Sequence, residues 1–422
     1  MSREERYLYG LLWSVLVAFV ITGFALQGFP AALQGVWQLQ LSPGRLLNDF
    51  TAVAGEGATL VNAALAAAIG LALVQVNRVR LSGPTVAAVF TILGFGLFGK
   101  TPANILPIIL GVFLSAKIVG KRFDEYILIA LFGTALGPLV SMLAVELVAS
   151  PWAGIPVAAA GGVAAGMLLP PLALVMLRLH QGYNLYNIGL TAGFLGLLVA
   201  AIVSASAGSL GMGTQWNETP SRVLVMAVPS LAVLLLAAGL LLGPRTAGTG
   251  FLRIMRLSGR LPSDFMDTAG MPAGLLNMGV MGVAAWLYVV LVGGPLNGPV
   301  LGGILTVMGF AAFGKHPRNT WPVLGGVVGA ALLFGKDLAA PGPLLAALFG
   351  TTLAPLAGEF GPLAGLAAGF VHLVMVERTG AWHLGVNLYN NGFAGGLTAT
   401  FFVAVIEWYR SNRPGRLRKG SP

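Results

Sequence analysis

One ten-residue segment occurs twice in this chain and decides how the rest must be read. His180-Gln-Gly-Tyr-Asn-Leu-Tyr-Asn-Ile-Gly189 returns as His383-Leu-Gly-Val-Asn-Leu-Tyr-Asn-Asn-Gly392, with seven of ten positions identical. The sequence ahead of each copy is duplicated as well. Adding 215 to the residue number carries Gly44-Arg45-Leu46 onto Gly259-Arg260-Leu261, Asp49-Phe50 onto Asp264-Phe265, Asn62 onto Asn277 and Gly83-Pro84 onto Gly298-Pro299. The same shift carries Phe98-Gly99-Lys100 onto Phe313-Gly314-Lys315, and Pro102, Asn104 and Pro107 onto Pro317, Asn319 and Pro322. Between Leu131-Phe132-Gly133-Thr134 and Leu348-Phe349-Gly350-Thr351 the shift is 217, and at the His motif it is 203. The second half is therefore shorter by about fourteen residues between those two motifs. The chain is one unit, duplicated and fused.

Composition says what the unit is made of. Hydrophobic residues are 56% of the 422, charged residues only 9%, and long apolar runs recur throughout. That balance belongs to an integral membrane protein rather than to a soluble multidomain one. The net charge of +10 does not indicate a nucleic-acid partner, because the basic residues lie in the short gaps between apolar runs, where the positive-inside rule places them. The absence of cysteine excludes disulfides, thiolate nucleophiles and cysteine metal sites, and four histidines leave little for a metal. No metal or cofactor is expected. The run Leu11 to Leu26 follows Arg3 and Arg6 as a signal peptide would, but lacks a small-residue cleavage site and has a counterpart in Val223 to Leu242. It reads as a retained span.

The expected spans of the first half are 8–29, 56–76, 84–98, 104–119, 125–149, 153–179 and 185–206. Those of the second are 222–243, 270–292, 299–313, 320–335, 342–358, 361–377 and 387–408. These divide the chain into an N-terminal membrane repeat (1–207), a polar linker (208–221), a C-terminal membrane repeat (222–410) and a short basic tail (411–422). Pro84 to Phe98 and Pro299 to Phe313 are each about 15 residues, a helix of about 22 Å against a hydrocarbon core of about 30 Å. Each ends in Phe-Gly-Lys, then a Pro-x-Asn turn and another short apolar run. A re-entrant pair of half-helices fits this pattern, with two short tilted spans as the alternative.

If both termini are cytoplasmic, nineteen of the 24 Lys and Arg fall on the cytoplasmic side and five (Arg45, Lys100, Arg222, Lys336 and Arg378) on the other. Each half then crosses an odd number of times, and the halves are inverted about a pseudo-two-fold axis in the membrane plane. Inversion explains why the equivalent loops carry Arg45 alone in one half and Arg253, Arg256 and Arg260 in the other. The expected fold is all-α, two inverted repeats of about 10–14 membrane segments in all, with re-entrant half-helices.

Inverted repeats put substrate sites at their interface, on broken helices near the midplane. Two duplicated elements are candidates. If the His motif is helical, His180, Asn184 and Asn187 share one face. With Tyr186 and the second copy, His383, Asn387, Tyr389 and Asn390, they form an uncharged cage suited to a small polar solute. The alternative is that these groups hold the halves together, aided by Gly189-xxx-Gly193 and Gly392-xxx-Gly396. The second candidate is the tip carrying Lys100 or Lys315, since a lysine inside a membrane protein is costly and by default functional. Two such tips favour an anion or a carbonyl, and a lysine snorkelling to the interface is the alternative. Glu146, Glu359 and Glu377 have no acidic counterpart in the other half, which argues against a proton relay. Asp49 and Asp264 do repeat, each just after an Arg, as a local ion pair would. P-loop, His-Glu-x-x-His and Gly-x-Ser-x-Gly motifs are missing from the sequence.

The twin Asn-Leu-Tyr-Asn segments and the twin Phe-Gly-Lys tips resemble a family of uncharacterised bacterial polytopic membrane proteins, over most of the chain. That resemblance implies a multi-pass protein of the bacterial inner membrane and brings no activity with it. In architecture the chain also resembles the urea-transporter family, with two homologous inverted halves, each with a re-entrant helix, and a Gly-x-Asn step like Gly182-Tyr183-Asn184. It departs from that family in lacking an Asn-Pro-x-Ser-Gly-Leu segment and in carrying the lysine tips. The expected function is a transporter or channel for a small polar or anionic solute. Its partners are that solute and the lipid bilayer, with a homo-oligomer compatible and no nucleic acid. Two other classes stay open: an intramembrane enzyme acting on a lipid-type substrate with His180 and His383 as bases, and a membrane assembly or structural partner.

Overall fold

The structure, a computed structural model, describes residues 2–148, 150–207, 211 and 213–412. Part of the expected linker and nearly all of the basic tail lie outside the described residues. The first half forms ten α-helices: α1 (Arg3–Gln27), α2 (Phe29–Gln40), α3 (Phe50–Ala54), α4 (Glu56–Val76), α5 (Gly83–Phe95), α6 (Pro102–Ile118), α7 (Ile127–Gly133), α8 (Gly137–Val145), α9 (Pro151–His180) and α10 (Asn187–Ala207). The second half repeats them one for one: α11 (Arg222–Leu242), α12 (Pro244–Ile254), α13 (Phe265–Ala269), α14 (Met271–Leu291), α15 (Gly298–Phe310), α16 (Pro317–Leu333), α17 (Pro341–Phe349), α18 (Ala354–Phe360), α19 (Pro362–Trp382) and α20 (Asn390–Asn412). Among the described residues the one non-helical pairing is an isolated bridge between Asn48 and Gln215. Most of the deficit of the second half lies in α19, which has 21 residues against 30 in α9.

The halves are inverted, and the packing of equivalent helices shows it. A Cβ added to Gly94 of α5 would lie 2.7 Å from the carbonyl oxygen of Gly302 in α15, and one added to Gly309 would lie 2.7 Å from Phe90 Cβ and 3.1 Å from Ala87 Cα. Moving forward along α5 from Ala87 to Gly94 thus means moving backward along α15 from Gly309 to Gly302. The two helices are antiparallel. Because Gly94 corresponds to Gly309 and Ala87 to Gly302, these are one contact seen twice. The last helices cross in the same way: Gly189 of α10 meets Gly392 of α20, Gly193 meets Phe393, and Leu190 meets Gly396. A two-fold axis therefore passes between α5 and α15 and between α10 and α20, perpendicular to helices that cross the membrane. Glycine at these crossings lets backbones touch, the device membrane helices use where apolar burial gives no drive to associate.

Nine helical stretches of the described residues are long and apolar enough to cross a membrane. α5 and α15, at 13 residues each, and α6 and α16, at 17 each, fall short of the roughly 20 residues a crossing helix uses.

The expected spans 125–149 and 342–358 correspond to the crossing stretches Phe123–Val145 and Pro341–Phe360, in which 3₁₀ turns at Thr134–Leu136 and Gly350–Leu353 separate α7 from α8 and α17 from α18. The cause is local. The Thr134 and Thr351 hydroxyls donate back to the carbonyls of Leu131 and Leu348, both at 2.6 Å. Four residues on, Pro138 and Pro355 have no N–H to give to the threonine carbonyl.

One expectation is corrected: the His motif is not helical throughout. α9 ends at His180 with Gln181 and Gly182 at φ 49° and 85°, and in the repeat Leu384 and Gly385 stand at φ 53° and 71°. Left-handed backbone ends a helix, and the chain runs irregularly until α10 or α20 begins at Asn187 or Asn390. His180, Asn184 and Asn187 therefore do not share a helix face.

Candidate functional site

The two lysines are fully buried and sit in matched surroundings. Lys100 Nζ donates to Thr134 Oγ1 at 2.7 Å and to the Tyr389 hydroxyl at 2.6 Å. Lys315 Nζ donates to Thr351 Oγ1 at 2.8 Å and to the Tyr186 hydroxyl at 2.5 Å. Each ammonium also lies over two rings. Lys100 Nζ is 4.6 Å from the Tyr389 centroid and 5.3 Å from that of Phe95, and Lys315 Nζ is 4.5 Å from Tyr186 and 5.3 Å from Phe310. Cation–π contacts of this kind contribute about 2 kcal/mol when desolvated. Among the described residues no carboxylate pairs with either lysine.

Three duplicated motifs therefore meet at each site: the Phe-Gly-Lys tip, the Leu-Phe-Gly-Thr break and the tyrosine of the His motif. The pairing is crosswise. Lysine and threonine come from one half, tyrosine from the other. Backbone bonds carry the exchange further, with Leu185 N–H donating to Thr352 O at 3.1 Å and its counterpart Leu388 to Ala135 O at 3.0 Å. Likewise Leu46 N–H donates to Gly385 O and Leu261 N–H to Gly182 O.

Asparagines hold the tips. Asn62 Nδ2 donates to Gly96 O and Lys100 O, both at 2.8 Å, and Asn277 does the same to Ala311 O at 2.7 Å and Lys315 O at 2.8 Å. Asn104 and Asn319 accept from the backbone N–H of Thr101 and His316 at 2.9 Å, and donate to Gly99 O and Gly314 O at 2.8 and 2.9 Å. With Pro102 and Pro317 in the first turn of α6 and α16, where a missing N–H costs nothing, each tip is a capped helix start. The lysine side chain is the part left to face inward.

The polar groups of the His motif are engaged in fixing its break. Asn184 Nδ2 donates to Gly392 O at 3.0 Å and Asn387 Nδ2 to Gly189 O at 3.1 Å, while their oxygens accept from Tyr186 and Tyr389 N–H at 3.2 and 3.0 Å. His180 and His383 bond through Nε2 to Asn187 and Asn390 Oδ1, at 2.9 and 3.1 Å. Asn187 and Asn390 donate in turn to Ala173 O and Val376 O. Of the ten candidate residues, the structure thus brings Lys100, Lys315, Tyr186 and Tyr389 into two sites. It sets the four asparagines and two histidines around them as hydrogen-bonded supports.

On the axis between the sites lies a cavity of about 10 Å³, room for a single water-sized sphere. Its wall contains the equivalent pairs Thr91 and Thr306, Phe95 and Phe310, and Tyr186 and Tyr389. The sequence signal for Thr134, Thr351, Phe95, Phe310, Thr91 and Thr306 was available. Each is duplicated, and the threonines are polar positions inside apolar runs.

The acidic residues depart from expectation. Arg45 pairs with Glu146, 2.5 Å away and 101 positions on, rather than with Asp49. Arg260 donates to Gln181 O and stacks on Tyr183 at 4.2 Å. Asp49 and Asp264 are N-caps of α3 and α13. Asp264 also accepts from Gly83 N–H at 3.1 Å, and Asp49 lies against Gly298, so each carboxylate meets the first residue of the opposite half's short helix. That position complements a helix dipole. Among the described residues no group of three or more His, Cys, Asp and Glu side chains is placed to hold a metal ion.

A protein-family profile described as "Protein of unknown function (DUF1576)" matches residues 30–205 and 244–408, one stretch in each half. The chain belongs to this family. No curated protein and no solved structure matches it, so the likeness to the urea-transporter family gains no support. The two matched stretches contain both tips, both threonine breaks and both tyrosines, so the paired lysine sites lie within the family region.

Proposed function

We propose that the protein is a transporter or channel that moves a small polar or anionic solute along the seam between its inverted halves. The observation that carries this reading is the crossed pair of lysine sites. Two buried ammonium groups, unpaired with any carboxylate among the described residues and each completed by a tyrosine of the opposite half, flank a cavity on the two-fold axis. A buried charge without a partner is expensive, and a cation exposed intermittently to a passing solute has a use for that cost. In this reading α5 with α6, and α15 with α16, are re-entrant pairs whose tips meet near the midplane, with both termini on the cytoplasmic side of a bacterial inner membrane. Tyr186, Tyr389, Lys100 and Lys315 touch the solute. The asparagines and histidines hold them in place.

The intramembrane-enzyme reading has less support, because both motif histidines are hydrogen-bonded to asparagine and neither lines the axial cavity. The test is flux in proteoliposomes across a panel of halides, nitrate, formate, urea and glycerol, with the Lys100→Met plus Lys315→Met variant beside the native protein. Flux lost in a variant that still folds is the expected result. Flux that survives both substitutions, or none for any solute in the native protein, overturns the reading.

A further inference from the structure

We propose that the solute is a small monovalent anion and that Asn391, held by His372, sets this preference; the proposal rests on the transport reading above. The argument is an inventory of hydrogen atoms around the axial cavity. The hydroxyls of Thr91 and Thr306 already donate within their helices, to Ala87 O at 2.6 Å and Gly302 O at 2.7 Å. Those of Thr134 and Thr351 donate to backbone carbonyls. The Lys100 and Lys315 ammoniums stand behind the cavity wall and reach it through the Tyr389 and Tyr186 hydroxyls. The tyrosine oxygens accept from the lysines; the Tyr389 hydroxyl also bonds Thr134, whereas among the described residues the Tyr186 hydroxyl hydrogen has no acceptor.

Asn391 adds to this. It lines the cavity, and its Oδ1 is 3.0 Å from His372 Nε2. His372 is fully buried, and among the described residues its Nδ1 has no partner. A hydrogen on Nδ1 would be an orphaned buried donor, which is rare. The hydrogen therefore sits on Nε2 and donates to Asn391 Oδ1, leaving the amide NH₂ for the cavity. The hydrogens still free around the cavity are those of the Asn391 amide and a tyrosine hydroxyl, and the lone pairs left over belong to hydroxyl oxygens and Asn391 Oδ1. An acceptor-only ligand satisfies those hydrogens, and room for one water-sized sphere suits a small halide.

This feature breaks the two-fold symmetry. Position 391 corresponds to Ile188. Against a Cβ built on the equivalent glycines, Leu169 Cδ1 lies 2.5 Å from Gly133 and His372 Cδ2 lies 2.7 Å from Gly350, so Leu169 and Ile188 stand in the first half where His372 and Asn391 stand in the second.

The test is full-chain protein in liposomes, measuring chloride and fluoride efflux with an ion-selective electrode and urea and glycerol uptake by light scattering. Halide efflux is expected, falling about tenfold or more in Asn391→Ile, as loss of one hydrogen bond to a charged group implies. His372→Leu should lower it likewise, and His372→Gln, whose amide can still donate to Asn391, should restore most of it. If a single variant fails to fold, the His372→Leu plus Asn391→Ile double variant reproduces the pair the first half already accommodates. Uptake of neutral solutes without halide efflux overturns the anion assignment and leaves the transport reading standing, while no flux of any kind overturns both. Halide efflux unchanged in Asn391→Ile removes Asn391 from the selectivity, and His372→Gln as impaired as His372→Leu removes the positioning role.

Discussion

The ammonium of Lys315 lies 2.5 Å from the hydroxyl of Tyr186, 129 positions away in the other half of the chain. The relationship recurs with the halves exchanged, as Lys100 and Tyr389 at 2.6 Å. Matched geometry of this kind predicts matched responses.

Lys100→Met and Lys315→Met, made singly, should reduce flux to similar extents. Methionine fills much of the same volume without a charge, and replacing a buried ion by an apolar side chain is often neutral for stability or better. Melting temperatures within a few degrees of the native value are therefore expected. A large loss from one lysine beside none from the other would contradict the symmetry.

Tyr186→Phe and Tyr389→Phe each remove one acceptor from a buried ammonium and keep the ring. The expected cost is about 1.5–3 kcal/mol. Tyr186→Leu and Tyr389→Leu lose the cation–π contact as well and should cost about 1–2 kcal/mol more. Denaturation in detergent checks the order, and equal costs for Phe and Leu would remove the ring from the interaction.

Asn184→Ala and Asn387→Ala should behave as stability variants. Asn387→Ala strands the Tyr389 N–H and takes a donor from Gly189 O of the other half, whereas in Asn184→Ala the Gly392 carbonyl loses its donor but the Tyr186 N–H keeps Thr352 Oγ1, at about 1–3 kcal/mol per buried group left unpaired. Solute selectivity should stay as it was. Altered selectivity at unchanged melting temperature would place these amides in the path.

Gly94→Ala should be poorly tolerated, because its Cβ would lie 2.7 Å from a backbone oxygen of α15. Gly10→Ala in α1 meets nothing within 4 Å and should be stabilising by about 0.5–1 kcal/mol, from helix propensity alone. Melting temperatures that do not separate the two variants would argue that α5 and α15 do not touch.

Inversion itself has a direct test, because the chain has no cysteine. Gln38 and Arg253 are equivalent and exposed. Gln38→Cys and Arg253→Cys should react with a membrane-impermeant maleimide from opposite sides of the membrane. Labelling of both from one side would mean parallel repeats.

Much of this was legible in the sequence because duplication marks it. The two-half architecture, the span at 56–76 and both lysine tips follow from repeated residues and apolar run lengths. The break at Thr134 was hidden because hydropathy averages over it, though Thr134 with Pro138 four residues on was a local clue. The division of labour inside the His motif was hidden for another reason. His180, Asn184 and Asn187 suggest a shared face only while the segment is helical, and Gln181 and Gly182 in left-handed conformation end the helix first. The crosswise pairing of lysine and tyrosine was out of reach, because both partners of each site occur in both halves and residue identity cannot say which copy meets which.

That exchange means neither half is self-sufficient. A single repeat carries its own lysine and its own tyrosine, but its tyrosine serves the site of the opposite half. Two separate copies would complete both sites only by inserting into the membrane in opposite orientations and pairing about the two-fold axis. Fusion into one polypeptide fixes the two orientations in a single chain. It also lets one copy change alone, as it has at His372 and Asn391.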